Sequence, residues 1–302
     1  AARGSEMNGM PNPIDPRRLA DIPDAGPHPV RRASDLRRDG LTAREISRAV
    51  AGGVLLAVRR GAYLASGAPP AIVLASSFGG RLACVSVLAA LGVFVLESRS
   101  VHVHFERSVS KRRTEKKGAV WHWSPLLRSP HPRASAVSLI DAVAQAAACQ
   151  PPRAAIATLD SALHKGVITV DDLDEIFARV PPRRRVLRGL IDGRAESGPE
   201  SLMRLIALSL GFTVELQVKI AGVGRVDLVL DGWLVVECDS EEFHRGWVSQ
   251  KRDRRRDLLL AARGYASLRP IAEDILWNPE LVSAALRALR LARVEGFGAR
   301  TA

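Results

Sequence analysis

The chain has 302 residues, with 44 Lys and Arg against 32 Asp and Glu, and a formal net charge of +12 at pH 7. This length allows two domains with their own cores, and the positive charge favours a polyanionic partner such as nucleic acid. No run of about 18 uncharged apolar residues occurs, so no membrane partner is predicted. The three cysteines are far apart and odd in number, which predicts reduced core residues of a cytoplasmic protein.

Residues 1–29 predict a segment outside the folded core. Residues 1–6 precede Met7 and have the character of a tag remnant, and Pro, Asp and Gly are frequent in the extended arm that follows. No signal peptide is evident before the first domain.

Residues 30–68 predict a winged helix-turn-helix domain. Thr42–Glu45 has the sequence of a capping box and should begin the second helix, which ends at Gly52-Gly53. A β-hairpin follows, with strands at Val54–Arg59 and Ala62–Ala65. Helix, turn, helix and basic hairpin is the order of a winged helix.

Four arginines of this domain are the predicted DNA-binding residues: Arg44, Arg48, Arg59 and Arg60. Arg44 and Arg48 are four residues apart, so they share one face of a helix that can enter the major groove. Arg59 and Arg60 form the hairpin tip, which can contact the phosphate backbone or the minor groove. The alternative is that these arginines are ordinary solvated charges.

Residues 30 to about 105 resemble the winged-helix and linker region of AbiEi-type antitoxins, which belong to type IV toxin–antitoxin systems. The matching features are the capped helix, the sequence VRRGAYLA, a small-residue helix at Arg81–Leu91 and the strand VHVHF. The resemblance implies binding to double-stranded DNA repeats in the protein's own promoter. It also implies a cognate nucleotidyltransferase-like toxin that acts on a common target and makes no direct contact with the antitoxin.

Residues 69–194 predict a connector of strands and helices. Val93–Leu96 and Val101–Phe105 are predicted as a strand pair, and the basic segment 107–117 is a further candidate for DNA contact. His102 and His104 share one strand face, and His122 lies between two tryptophans. With no Cys or carboxylate at ligand spacing, a metal site is not predicted here.

The sequence of residues 195–295 predicts an α/β domain in which the carboxylates of Glu200, Asp227 and Glu237 come together. We call these three residues the acidic corner. Asp231-Gly232 between two apolar runs is a strong hairpin signal, so Asp227 and Glu237 should converge at the open end of that hairpin. Glu200 in the first turn of a preceding helix should point to the same corner. Such carboxylates can hold Mg²⁺ or Mn²⁺ against a phosphodiester. Their crowding also calls for a cation, or for an arginine of the 252–256 helix, beside them.

The same region resembles the very-short-patch-repair-like branch of the PD-(D/E)xK endonucleases, through Asp227, the run Glu237–Ser240, His244, the Asp/Arg-rich segment 253–257 and the GY and LR pairs within 264–269. The resemblance implies a restriction-endonuclease-like mixed sheet flanked by helices. Its candidate catalytic residues are Glu200, Asp227, Glu237, Asp239, His244 and Lys251, with Glu200, Asp227 and Glu237 as candidate metal ligands. Most nucleases of this fold have a lysine where Asp239 stands, and His244 or Lys251 would have to replace it.

Two functions remain open at this point. The first is a DNA-binding antitoxin and transcriptional autorepressor that requires no cofactor for DNA binding and whose endonuclease-like domain has little or no activity. The second is a Mg²⁺-dependent DNA endonuclease of the very-short-patch-repair type, directed to DNA by the winged helix. The AbiEi resemblance and Asp239 favour the first, and the retained Glu200, Asp227 and Glu237 favour the second.

Overall fold

A computed structural model describes residues 25–106, 118–238 and 247–298, which form a mixed α+β fold. The chain divides into two compact units, of which the first comprises 1–86 and 100–138 and the second 87–99 and 139–302. The basic segment 107–117 and the candidate site residues Asp239 and His244 lie outside the described residues. Within the described ranges, no helix combines the length and apolar character needed to cross a bilayer.

The first unit begins with two helices and a β-hairpin in the predicted order. Its first elements are β1 (Arg31–Arg32), α1 (Ala33–Arg38), α2 (Ala43–Ala51), β2 (Leu55–Arg59) and β3 (Ala62–Ala65). The Thr42 hydroxyl accepts a hydrogen bond from the Glu45 backbone N–H at 3.3 Å, and the Glu45 carboxylate accepts one from the Thr42 backbone N–H at 2.7 Å. The predicted capping box is therefore confirmed as the start of α2. The three strands form an antiparallel sheet of order β1-β3-β2.

The rest of the first unit is built around a second small sheet of order β4-β5-β6. The elements concerned are α3 (Pro70–Phe78), β4 (Arg81–Leu82), β5 (Val101–His104), β6 (Ala119–His122) and the first three residues of α4 (Cys84–Ala90), which continues into the second unit. β5 pairs antiparallel with β4 and parallel with β6. The predicted pairing of Val93–Leu96 with β5 is therefore wrong. Those residues form no strand, and the Phe94 N–H donates instead to the Ser161 hydroxyl at 2.9 Å.

The second unit combines helices with a four-stranded mixed sheet. After residues 87–99 its elements are α5 (Leu139–Cys149), α6 (Pro152–His164), α7 (Asp172–Arg179), a 3₁₀ helix (Pro182–Leu190), α8 (Gly198–Ser209), β7 (Val214–Ile220), β8 (Gly224–Leu230), β9 (Leu234–Val236), α9 (Trp247–Ala261), β10 (Ala266–Leu268), α10 (Ala272–Trp277) and α11 (Pro279–Gly298). The sheet order is β10-β9-β8-β7, with β10 parallel to β9 and the other pairs antiparallel.

The predicted hairpin at Asp231-Gly232 is confirmed as the connection between β8 and β9. Asp231 has φ 47° and Gly232 has φ 70°, and two successive residues with positive φ are what a tight two-residue turn of this kind requires. Residues of the two strands then alternate between two hydrophobic clusters. Leu228 and Val236 pack in the cluster that includes residues of α8 and α11, whereas Val229 and Val235 pack with Leu260 of α9. The sheet is thereby covered by helices on both faces, with Asp227 in the middle of β8 and Glu237 directly after β9.

Candidate functional site

The four predicted DNA-binding arginines lie on two neighbouring elements of the first unit. Arg44 and Arg48 are exposed on α2, where they line a shallow surface depression together with Ala43 and Ser47. Arg59 and Arg60 are exposed at the hairpin tip, where Gly61 adopts φ 70° and allows the tight turn. Within the part of the chain that the structure describes, no carboxylate forms an ion pair with any of these four arginines.

Some other arginines of the first unit are paired with carboxylates inside it. Buried Arg31 pairs with Asp39 at 2.8 Å, and Arg133 pairs with Asp35 at 3.0 Å. Asp35 also lies 3.7 Å from Arg38. Asp35 and Asp39 are therefore already engaged by arginines other than those of α2 and the hairpin tip.

In the second unit, the three predicted acids stand on three adjacent elements. The Ser197 hydroxyl accepts from the Glu200 backbone N–H at 3.3 Å, so Ser197 caps α8 and Glu200 lies in its first turn. Asp227 is in β8, and its carboxylate accepts from the Cys238 backbone N–H at 2.9 Å. Glu237 directly follows β9. Glu200 and Glu237 are 6% and 7% exposed, which is far below what solvated surface carboxylates show.

The pKa values of the Glu200 and Asp227 carboxyls are both raised. Burial raises the pKa of the Glu200 carboxyl, and the charge of Asp227 raises it further, against hydrogen bonds from the Glu196 backbone N–H and the Gln217 side chain. Burial likewise raises the pKa of Asp227, against the Cys238 N–H and the positive charge of Arg256. Two adjacent carboxylic acids with raised pKa values are typical of a cation site or of acid–base chemistry.

Glu237 is compensated in a different way, by two arginines. Its Oε1 lies 2.8 Å from Arg256 of α9, and its Oε2 lies 2.6 Å from Arg269, which follows β10. Arg269 also pairs with Asp257 at 2.9 Å. The prediction that an arginine of the 252–256 helix stands beside the crowded carboxylates is thereby confirmed. Lys251, the remaining described candidate, is exposed on α9.

Comparison with known proteins identifies two relatives in Mycobacterium tuberculosis. Over 233 residues the chain is 32% identical to the uncharacterized protein Rv2248 of strain H37Rv and to the uncharacterized protein MT2308 of strain CDC 1551. In each case the match covers 72% of this chain and 84% of the relative. The chain belongs to the same family as these mycobacterial proteins. No protein-family model matches it.

In this member of the Rv2248 family, sequence reasoning missed Gln217. Its side-chain amide donates to Glu200 at 2.7 Å, and its backbone has φ 56°, a left-handed conformation that non-glycine residues seldom adopt. Gln217 lies between Leu216 and Val218 of β7. These two residues pair with Leu228 and Val226 of β8, which flank Asp227. The alternating sequence VELQVKI does indicate a strand, but no local signal marks its glutamine as the partner of a buried acid.

A second group missed in the sequence is a set of His and Cys side chains in the first unit that could bind a metal. The Sγ atom of Cys84 and ring nitrogens of His102 and His122 lie within 4.8 Å of one another. Cys84 is buried, as predicted for all three cysteines, and Cys238 is partly buried against a hydrophobic cluster, but Cys149 is exposed, so that prediction is wrong for Cys149. The chain separation between Cys84 and the histidines explains why no ligand motif was visible.

The buried acid Glu200 leads to a prediction of pH-dependent stability. Glu200→Gln is expected to stabilise the protein at neutral pH by about 0.5–2 kcal/mol, because ionising a carboxyl whose folded-state pKa is raised costs stability. Well below the usual carboxyl pKa of 4.5, Glu200 is protonated in both the folded and the unfolded state, so the two proteins should be equally stable. The difference should grow as the pH rises above 4.5 and level off once the pH exceeds the raised folded-state pKa.

Urea unfolding of both proteins between about pH 4 and pH 8 measures this difference. Glu215→Gln provides the matched control, since Glu215 is an exposed glutamate on β7 and its replacement removes the same charge. A Glu200→Gln protein that is less stable than the wild type throughout the range would contradict the prediction.

Proposed function

We propose that this protein is a DNA-binding antitoxin and transcriptional autorepressor of a type IV-like toxin–antitoxin operon. The observation that carries the proposal is the set of four exposed arginines on α2 and the hairpin tip that have no carboxylate partner among the described residues. The neighbouring Arg31 and Arg133, by contrast, are paired with Asp39 and Asp35.

The order of elements in the first unit supports a winged-helix interpretation. α2 takes the place of the recognition helix, with Arg44 and Arg48 one turn apart, and a major groove about 12 Å wide admits one helix. Arg59 and Arg60 on the hairpin tip would then contact backbone phosphates. Base contacts from α2 supply the sequence preference, while the wing contributes affinity and salt dependence.

The second unit supports an endonuclease-like domain of little or no activity. The succession α8, β7, β8, β9, α9, β10 and the acids Glu200, Asp227 and Glu237 suit that fold. Arg256 and Arg269 bind both oxygens of Glu237, so a divalent ion would have to displace charged partners in order to use this ligand. Weak Mg²⁺ or Mn²⁺ binding with little cleavage follows from this arrangement.

The proposal is tested by binding to DNA from upstream of the protein's own gene. Fluorescence anisotropy should show that this duplex binds at least about tenfold more tightly than a shuffled duplex of equal length, with affinity falling steeply as salt rises. Co-expression should also protect cells from a neighbouring nucleotidyltransferase-like toxin without forming a stable complex with it. Equal affinity for both duplexes would contradict the repressor function, and a failure to protect would contradict the antitoxin function.

The second candidate function is a Mg²⁺-dependent endonuclease, and the adjacent acids Glu200 and Asp227 with raised pKa values favour it. We expect wild-type protein in Mg²⁺ or Mn²⁺ to cleave supercoiled, linear or mismatched DNA no faster than Asp227→Ala and Glu237→Ala, because Glu237 is held by two arginines. Gel analysis of the products over time provides the measurement. Nicking by the wild type that both variants abolish would establish the endonuclease instead.

A further inference from the structure

We propose that the first unit contains a zinc site whose protein ligands are Cys84, His102 and His122. None of these residues takes part in the proposed DNA contacts or in the acidic corner, so the site is independent of both. The inference rests on strand register, on the distances between the donor atoms and on the chemistry of the donor set.

Strand register brings the two histidines together. Successive strand residues point to opposite faces, so His102 and His104 share one face of β5 while Val103 and Phe105 lie on the other. β6 runs parallel to β5 with His104 opposite His122, which places His122 on the histidine face. The other face is occupied by aromatic rings, with Phe105 and Trp121 centroids 5.2 Å apart. The sheet thus separates an imidazole face from an aromatic face.

Backbone contacts hold Cys84 beside the same histidines. The Ala83 N–H donates to the His102 carbonyl at 2.9 Å, and the His102 N–H donates to the Ser86 hydroxyl at 2.9 Å. Between Ala83 and Ser86, Cys84 adopts φ 52°, a left-handed conformation that is strained for a non-glycine residue. Such strain persists where the surrounding structure requires it, which is common at ligand sites.

The donor atoms are spaced as a shared ion requires. His102 Nδ1 and His122 Nε2 are 3.1 Å apart, and the Cys84 Sγ lies within 4.8 Å of the ring nitrogens. Two nitrogens bound to one tetrahedral zinc at about 2.0–2.1 Å would be separated by roughly 3.3 Å. A simple hydrogen bond between the rings also fits the first distance, but it does not account for the thiol beside them.

The donor chemistry selects zinc among the common cations. One thiolate and two imidazoles are borderline-soft ligands, which suit zinc and do not suit Mg²⁺ or Ca²⁺. The Cys84 thiol releases its proton to solvent when it binds, so zinc affinity should fall at acidic pH. Three protein ligands leave the fourth tetrahedral position to water or another side chain. The ion would join the start of α4 to β5 and β6, and its main effect would be on the stability of the first unit.

The test uses the full chain, stripped with a chelator and then titrated with zinc against a chromogenic competitor. We expect one tightly bound zinc ion per chain, a higher melting temperature with zinc, and reversal by chelator. Cys84→Ser, His102→Asn and His122→Asn should each weaken zinc binding at least tenfold, whereas His104→Asn and Cys238→Ser should retain it. His104→Asn is the matched control because His104 is buried on the same face of β5.

Cobalt substitution of the wild-type protein provides a readout that does not depend on the variants folding. Visible absorption bands of a tetrahedral cobalt–thiolate site would support the proposal, and the spectrum of hexa-aqua cobalt would overturn it. Absence of stoichiometric zinc binding, or zinc retained at wild-type affinity by all three ligand variants, would also overturn it.

Discussion

Simultaneous replacement of Arg44, Arg48, Arg59 and Arg60 with alanine is expected to abolish the proposed binding of this protein to its own promoter. Each lost base contact should cost about 1–3 kcal/mol, and each lost phosphate contact should weaken binding to every sequence. These side chains are exposed and have no carboxylate partner in the described part of the first unit, so their removal should leave the fold intact.

The two pairs of substitutions, made separately, should have different effects on DNA binding. Arg44→Ala with Arg48→Ala should reduce the preference for promoter DNA over shuffled DNA. Arg59→Ala with Arg60→Ala should weaken both duplexes alike and flatten the dependence of affinity on salt, since fewer counterions are released on binding. Fluorescence anisotropy over a series of salt concentrations separates the two effects.

A control for net charge is available in the second unit. Arg263→Ala with Arg287→Ala removes two positive charges from exposed positions there, as many as either double variant, and should leave promoter preference unchanged. Thermal unfolding of every variant checks that the fold is retained. Promoter affinity that is unaffected in the quadruple variant would refute the assignment of α2 and the hairpin as the DNA-binding surface.

Arg204→Ala is expected to destabilise the second unit by about 3–5 kcal/mol, because it leaves a buried carboxylate without its charged partner. Asp160 of α6 is 0% exposed and Arg204 of α8 is 6% exposed, and their charged groups lie 2.9 Å apart. The other Asp160 oxygen accepts from the Asp192 N–H at 2.7 Å, and Arg204 also donates to the Leu190 carbonyl. The pair thus joins α6, α8 and the chain that follows the 3₁₀ helix.

Urea unfolding measures this loss, and an exposed ion pair provides the comparison. Arg188→Ala breaks a pair with Asp174 whose side chains are 42% and 82% exposed, and it should cost less than about 1 kcal/mol. Replacing both members of the buried pair, with Asp160→Leu and Arg204→Met, should cost less than Arg204→Ala alone because no unpaired charge is left inside. An Arg204→Ala protein as stable as Arg188→Ala would contradict the prediction.

Local signals were sufficient for several elements of this protein. The Thr42–Glu45 capping box begins α2, and Asp231-Gly232 turns β8 into β9, because each depends on backbone geometry within a few residues. The same dependence on local sequence explains one wrong prediction. Val93–Leu96 has an apolar strand-like sequence, but tertiary packing and a hydrogen bond to Ser161 hold it in an irregular conformation.

The partners of the functional side chains were decided only by the tertiary structure. Glu237 is bound by Arg256 and Arg269, and Gln217 binds Glu200, through contacts that span strands and helices far apart in sequence. Cys84 reaches His102 and His122 only because β4, β5 and β6 pair in one register. The sequence by itself determined which residue types could act as ligands and which local elements carry them. Register and strand crossovers determined which of these residues meet, because contacts between distant segments depend on how the whole chain packs and leave no local pattern.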